Sequence, residues 1–275
     1  MRKTILFLVY LMIPAFANGD VTDLGNWYEV ADPPHPGFAA SQTSVTAILT
    51  AADIEIPAST DIGYQSVNGP TPDGSTSGFY FDPVSDFSIA IDYSLSFSGT
   101  PEGLLGLGFG IGEHLDGSNS AGVAMATVDG NPSGTFTAAS RINDVTQFPP
   151  PPINVPASLS GSLFIEYVAS SGDVIVGAST SAAATPAETV TLSGIQNQWT
   201  DDKLLASFFL RSDSVPFGPS NWKGGQATAM FTNFRVLSGD PVAIPEPGPA
   251  TLFLAVASFA GLRRKRRARR RIGSA

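Results

Sequence analysis

The chain has 275 residues, 43% of them hydrophobic, and no cysteine; it is long enough for one sizeable core, and a disulfide framework, a Cys-ligated zinc site and a thiol nucleophile are all excluded. Arg2 and Lys3 open the chain and eight further basic residues lie between Arg263 and Arg271, which leaves Arg141, Lys203, Arg211, Lys223 and Arg235 for the middle. Against those five stand all 24 acids, from Asp20 to Glu246, so the central body has a formal net charge of −19, which repels phosphate backbones and excludes nucleic acid as a partner.

Residues 1–17 have the order of a secretory signal. Arg2 and Lys3 precede the apolar run Ile5 to Ile13, and Pro14 leads into the small-residue site Ala15-Phe16-Ala17. Cleavage is expected after Ala17, with Ala15 and Ala17 as the recognition positions. The run is too short for a permanent spanning helix, which needs about 20 apolar residues.

From residue 18 to residue 240 the dominant pattern has period two, and the segment is read as one β-sandwich domain. Phe87, Ile89, Ile91, Tyr93, Leu95 and Phe97 alternate with Ser88, Ala90, Asp92, Ser94 and Ser96, the pattern of a long half-buried strand. Leu105, Leu107, Phe109 and Ile111 continue it with glycine at 106, 108 and 110, which implies a close approach of backbone or ligand on the glycine side. Further strands are expected at 122–128, 134–140, 163–169, 173–179, 189–192, 204–211 and 227–237, separated by turn sequences such as Asp129-Gly130-Asn131-Pro132 and Ser170-Ser171-Gly172-Asp173. The four prolines from Pro149 to Pro152 mark 145–156 as an exposed rigid loop. No stretch of the body has the periodicity of a long amphipathic helix, so the fold class is all-β. The strand series resembles the concanavalin A-like, laminin-G-type jelly roll, through Gly78-Phe79-Tyr80-Phe81, the strand 87–97, Leu107-Gly108-Phe109-Gly110-Ile111, the hairpin 163–179 and the closing Ala229 to Val236.

No constellation in the body declares a reaction. Jelly-roll glycosidases carry Glu-x-Asp-x-x-Glu on a strand, and that pattern is absent; Asp82 with Asp86 and Asp201 with Asp202 are read as solvated turn residues. His35 and His114, the only histidines, are too far apart for a zinc motif, and neither adjoins a nucleophile elbow. Calcium is the cofactor that the oxygen-rich loops allow, with Asp116, Asn119, Asp129 and Asn131 as candidate ligands, although turn-forming Asp and Asn explain the same residues. Sugar binding needs an aromatic platform beside hydrogen-bonding groups, and Asn221-Trp222-Lys223-Gly224-Gly225 has that makeup; Trp27-Tyr28 is a second candidate, and Trp199 is assigned to the core.

The C-terminal segment 241–271 contains Pro245-Glu246-Pro247, then the apolar run 250–262, then Arg263, Arg264, Lys265, Arg266 and Arg267 at the head of a basic cluster. The prolines make an extended strap, the apolar run can enter a membrane with help from flanking residues, and the basic cluster acts as a stop-transfer signal. This order resembles the PEP-CTERM sorting signal. The resemblance implies an exosortase-type processing enzyme as partner, a Gram-negative source, delivery to the cell surface or extracellular matrix, and association with exopolysaccharide. The expectation is therefore an exported, non-enzymatic protein whose body contacts polysaccharide; the alternatives are a purely structural or adhesive envelope protein, and a polysaccharide-degrading enzyme.

Overall fold

A strand with one apolar side is stable only in a sheet whose apolar side is covered, so a chain built of such strands must form two sheets face to face or a closed barrel. The computed structural model describes residues 21–54, 59–68, 77–113, 118–147, 150–200, 203–212 and 221–244, all within one unit, Gly19–Glu246. The expected secretion signal, 1–17, and the segment from Pro245 onward lie outside the described residues.

The strands are β1 (Tyr28–Asp32), β2 (Phe38–Gln42), β3 (Thr46–Ala52), β4 (Thr60–Gln65), β5 (Gly78–Tyr80) and β6 (Phe87–Glu102). There follow β7 (Leu104–Gly112), β8 (Ser120–Val128), β9 (Asn131–Ile142), β10 (Val145–Thr146), β11 (Pro152–Pro156) and β12 (Ser160–Val168). The chain continues through β13 (Asp173–Ser179), β14 (Glu188–Leu192), β15 (Leu205–Ser212), β16 (Lys223–Ser238) and β17 (Val242–Ile244). The first sheet has the order β1-β4-β15-β7-β8-β9-β10, with β11 added on β9, and the second has the order β14-β13-β12-β6-β16-β3-β2. A small third sheet pairs β17 with β5. The expected all-β sandwich is what forms.

The core lies between the two large sheets. The apolar set of β6 (Phe87, Ile89, Ile91, Tyr93 and Leu95) and that of β7 (Leu105, Leu107, Phe109 and Ile111) are all buried in it. Aromatic rings join the layers: Phe81 stacks on Phe87 at 4.1 Å, Phe208 meets Phe231 at 4.4 Å, and Trp27 packs against Phe79, Phe208 and Phe234. Each such ring contributes about 1.5–3 kcal/mol by burial, and with no disulfide the sandwich rests on this core. Two short devices set the register. Asp129 and Gly130 both have positive φ, 50° and 75°, as a two-residue type I′ hairpin between β8 and β9 requires, and the Asp129 carboxylate accepts the Gly103 amide at 2.7 Å.

The proline-rich segment differs from its expected loop form. β10 pairs with β9, and β11 places Pro152 opposite Thr137 and Pro156 opposite Thr135. Proline is tolerated there because β11 is an edge strand, where a missing donor need not interrupt the ladder.

Candidate functional site

On the outer face of the first sheet, antiparallel register places directly paired residues side by side, so the lattice of outward positions can be read from the pairings. One row runs Val30, Gly63, Phe209, Gly108, Ala124, Thr137, and the next runs Tyr28, Gln65, Ser207, Gly110, Gly122, Ala139. A third row, on the other side of the first, holds Asp32, Asp61, Arg211, Gly106, Ala126 and Ser133, and Arg141 stands at the opposite end, past the second row, paired with Ser120 and Thr146. The centre of the face is therefore almost bare backbone. It forms a trough of about 580 Å³ lined by residues of β1, β4, β7, β8, β9, β10 and β15.

Phe209 is the one large side chain in the middle of that floor. A Cβ placed on Gly108 would come 2.7 Å from Phe209 Cε1 and 3.2 Å from Cε2 and would meet Cζ first, so the outer end of the ring covers Gly108, and Phe209 is only half-buried. The adjacent Phe208 points the other way and is fully buried in the core. The glycine side of β7 thus has two uses: it receives an aromatic ring at Gly108, and it lets β7 and β8 approach at Gly110, where an added Cβ would lie 2.7 Å from the Ala121 carbonyl.

The walls of the trough are charged. Arg211 Nη1 lies 3.6 Å from Asp61, with both side chains about one-third exposed, and Arg141 Nη2 lies 3.1 Å from Asp144. Tyr64 also lines the trough; burial, helped by the charge of Glu29, raises its phenol to about 12, so it is protonated at neutral pH and is not a base there. Asp61 is the one carboxylate among the described side chains of the lining.

The structure relocates the residues proposed for sugar binding. Trp222 has no exposed surface: its indole packs 5.2 Å from Phe97, its Nε1 donates to the Gly225 carbonyl at 3.0 Å, and its amide donates to Ser212 Oγ at 3.0 Å. It is a core residue, because the long strand β16 starts one residue later and carries it between the sheets. Asn221 precedes it in a bridge to Leu104, half-buried. Trp27 and Trp199 are buried as well, and Tyr28 is half-buried with its hydroxyl on Ser77 Oγ.

The candidate calcium ligands do not converge. Asn119 and Asp129 flank the two ends of β8, about 30 Å apart at the rise of a strand, and cannot share an ion. Each has a structural role: the Asn119 oxygen accepts the Asn143 amide at 2.7 Å, and Asp129 holds its hairpin, with Asn131 donating back to the Asp129 carbonyl at 3.1 Å. Asp116 lies outside the described residues, and among those described no group of three or more acids or histidines could hold a metal.

Of the paired acids that are described, Asp82 has the turn role expected of it, whereas Asp86 ties two distant segments. Asp82 accepts the Val84 amide at 3.0 Å and Asp86 the Ala169 amide at 2.8 Å, while Asp201, Asp202 and His114 lie outside the described residues. His35 accepts the Gly37 amide in its own turn. A buried carboxylate that no sequence pattern marked is Glu113: it accepts the Thr200 amide at 2.8 Å, the Thr200 hydroxyl at 3.1 Å and the Asn119 amide group, tying the end of β7 to the start of β8 and to the segment before β15.

No family model matches the chain, and no curated protein matches it by sequence. Among solved structures it is similar to a sialidase, at 11% identity and a TM-score of 0.41, over 79% of this chain and 17% of that one. It is also similar to peanut lectin in complex with a 9mer peptide, at 11% identity and a TM-score of 0.39 over 81% and 97% of the two chains. Lectin II from Ulex europaeus matches at 10% identity and a TM-score of 0.40, over 75% and 92%.

Proposed function

We propose that the body is a non-catalytic, concanavalin A-like sandwich that contacts polysaccharide through the trough on its first sheet, with Phe209 as the platform. The observation that carries this reading is the half-buried Phe209 ring whose outer end covers Gly108 on the floor of the trough. Sugar rings present apolar C–H faces rimmed by hydroxyls, and a half-exposed aromatic on a floor almost without side chains lets such a ring lie on it while Ser207, two residues along β15 on the same face, borders it. The polysaccharide-degrading alternative needs two carboxylates across the scissile bond; the one described carboxylate in the lining, Asp61, is held by Arg211. The test is a glycan array followed by titration calorimetry on the best ligand. Phe209→Ala should weaken binding at least tenfold, about 1.4 kcal/mol, with an unchanged melting temperature. Wild-type protein that retains no glycan, or a variant that binds as tightly as wild type, overturns the reading.

The ends of the chain complete the proposal. The protein is exported by removal of residues 1–17 and sorted to the envelope of a Gram-negative cell by an exosortase-type enzyme acting at Pro245-Glu246-Pro247, with 250–262 in the membrane and Arg263 to Arg267 on its cytoplasmic side. What supports it is the order of three unlike elements at one terminus. Mass spectrometry of surface protein decides it: the mature chain should begin near Asn18 and end short of Ala275, and Glu246→Ala should accumulate as the longer form. Surface protein that still ends at Ala275 makes the tail a permanent anchor and removes the sorting enzyme from the account.

A further inference from the structure

Beside Phe209 the floor of the trough has a chemistry that selects among sugars. The outward positions of β7 and β8 are Gly106, Gly108, Gly110, Gly122, Ala124 and Ala126, and none of these side chains donates or accepts a hydrogen bond. The backbone of β7 is spent as well, because it pairs residue for residue with β15 on one side, from Leu105 to Gly112, and with β8 on the other. A hydroxyl pressed onto this floor would give up its water and find no partner there, a loss of about tenfold or more in affinity.

Extent and charge narrow the choice further. From Phe209 on β15 to Thr137 on β9 one row crosses three strand spacings, about 14 Å at roughly 4.8 Å each. That is wider than one sugar ring, so the same condition falls on consecutive units of a chain. Both guanidinium groups of the lining are already bound to carboxylates, Arg211 to Asp61 at 3.6 Å and Arg141 to Asp144 at 3.1 Å, in a body with five basic residues against 24 acids. A carboxylate on the ligand would lose its water here among acids in excess.

We propose that the ligand of this trough is an uncharged polysaccharide of all-equatorial rings, gluco- or xylo-configured and linked equatorially into a flat ribbon, which lies with its C–H face down on β7 and β8 and one ring against Phe209. This rests on the reading of the trough as a glycan site. In such a ribbon the hydroxyls point sideways, away from the floor and towards water and rim groups such as Ser207. A manno-configured ring turns an axial hydroxyl to one of its faces, and a two-fold ribbon of such rings sets some of those hydroxyls on the floor. A uronate ribbon has the right shape and the wrong charge.

The test titrates the full-length chain at physiological salt with three oligosaccharide series matched in length and linkage: cello-oligosaccharides, manno-oligosaccharides and the glucuronate counterparts of the first. The cello series should bind about tenfold or more tighter than either of the others. Ala124→Asn, which sets an amide on the floor, should weaken the cello series about tenfold and narrow its lead over the manno series, whereas Thr50→Asn on the outer face of the second sheet should change neither. Equal affinity for the cello and manno series, tighter binding of the glucuronate series, or a folded Ala124→Asn that binds the cello series as tightly as wild type overturns the assignment. If Phe209→Ala abolishes whatever binding is then seen, the platform stands without it. Wild-type protein that binds none of the three series also overturns the assignment, and the glycan array decides separately whether the platform takes another sugar.

Discussion

The outer faces of the two large sheets obey the same alternation and end up unlike each other. On the second sheet the outward rows are filled with side chains: Thr50, Thr228 and Ser96 lie side by side, and the next rows hold Ile48, Met230 and Ser94, then Thr46, Thr232 and Asp92. On the first sheet the equivalent positions are Gly63, Gly106, Gly108, Gly110, Gly122, Ala124 and Ala126. Inward residues decide that a sandwich forms, and outward residues decide whether a face is closed or open. Where side chains stand on the outer face they also tie down what crosses it. Asp92 accepts hydrogen bonds from Ser162 at 2.5 Å and Asn233 at 2.7 Å and pairs with Arg235 at 3.0 Å, while Ser162 and Arg235 hold the backbone of Ala183. Nothing comparable crosses the glycine rows of the first sheet among the described residues.

Filling one glycine should break the contrast most severely. A Cβ on Gly122 would lie 2.7 Å from the Gly110 Cα and would also meet the Phe109 carbonyl, so β7 and β8 would have to part; Gly122→Val should cost about 3 kcal/mol, the upper range for overpacking. Ser96→Val at an outward site of the second sheet should stay within about 0.5 kcal/mol. Urea denaturation of the pair measures this, and equal losses would mean that the glycine rows are not close-packed. A smaller effect should come from the clasp. Burial pushes the Asp92 carboxyl up, but the hydrogen bonds from Ser162, Asn233 and Arg235 and the Arg235 charge outweigh it and leave the group below its ordinary range. A lowered folded value means stabilisation that is complete above the unfolded value of about 3.9 and is lost as pH falls through the folded one. Asp92→Asn should therefore cost about 2 kcal/mol at neutral pH, and the gap to wild type should close in acid. A gap that is constant with pH would show that the carboxylate charge is not what holds the clasp.

Much of the sandwich was legible because period-two runs carry their own inside and outside. The strand expected at 173–179 spans Asp173–Ser179, and that expected at 87–97 is the apolar part of β6. The short strands β1 and β2 were not legible: Tyr28–Asp32 and Phe38–Gln42 are only five residues long and sit at sheet edges, too short for alternation to stand out. Trp222 looked exposed because glycine and lysine follow it, yet its environment is set by Phe97, distant in sequence. Phe209 was passed over as one member of a strand, although adjacent phenylalanines in a strand must point to opposite faces, so one of Phe208 and Phe209 had to leave the core. The length of β8 likewise separates Asn119 from Asp129, and that much was countable beforehand.

The pairing of β17 with β5 sets a limit on reach. Ile244 lies opposite Gly78 in the small sheet, and Pro245 is the next residue in the chain. Consecutive Cα atoms are 3.8 Å apart and an extended residue adds at most about 3.6 Å, so whatever path the chain takes, Pro245 to Pro247 sit on a leash of roughly 11 Å measured from Ile244. Anything that grips those three residues must either work flush against the folded body or first detach Val242 to Ile244, so the three pairings of β17 govern how far the motif can be drawn out.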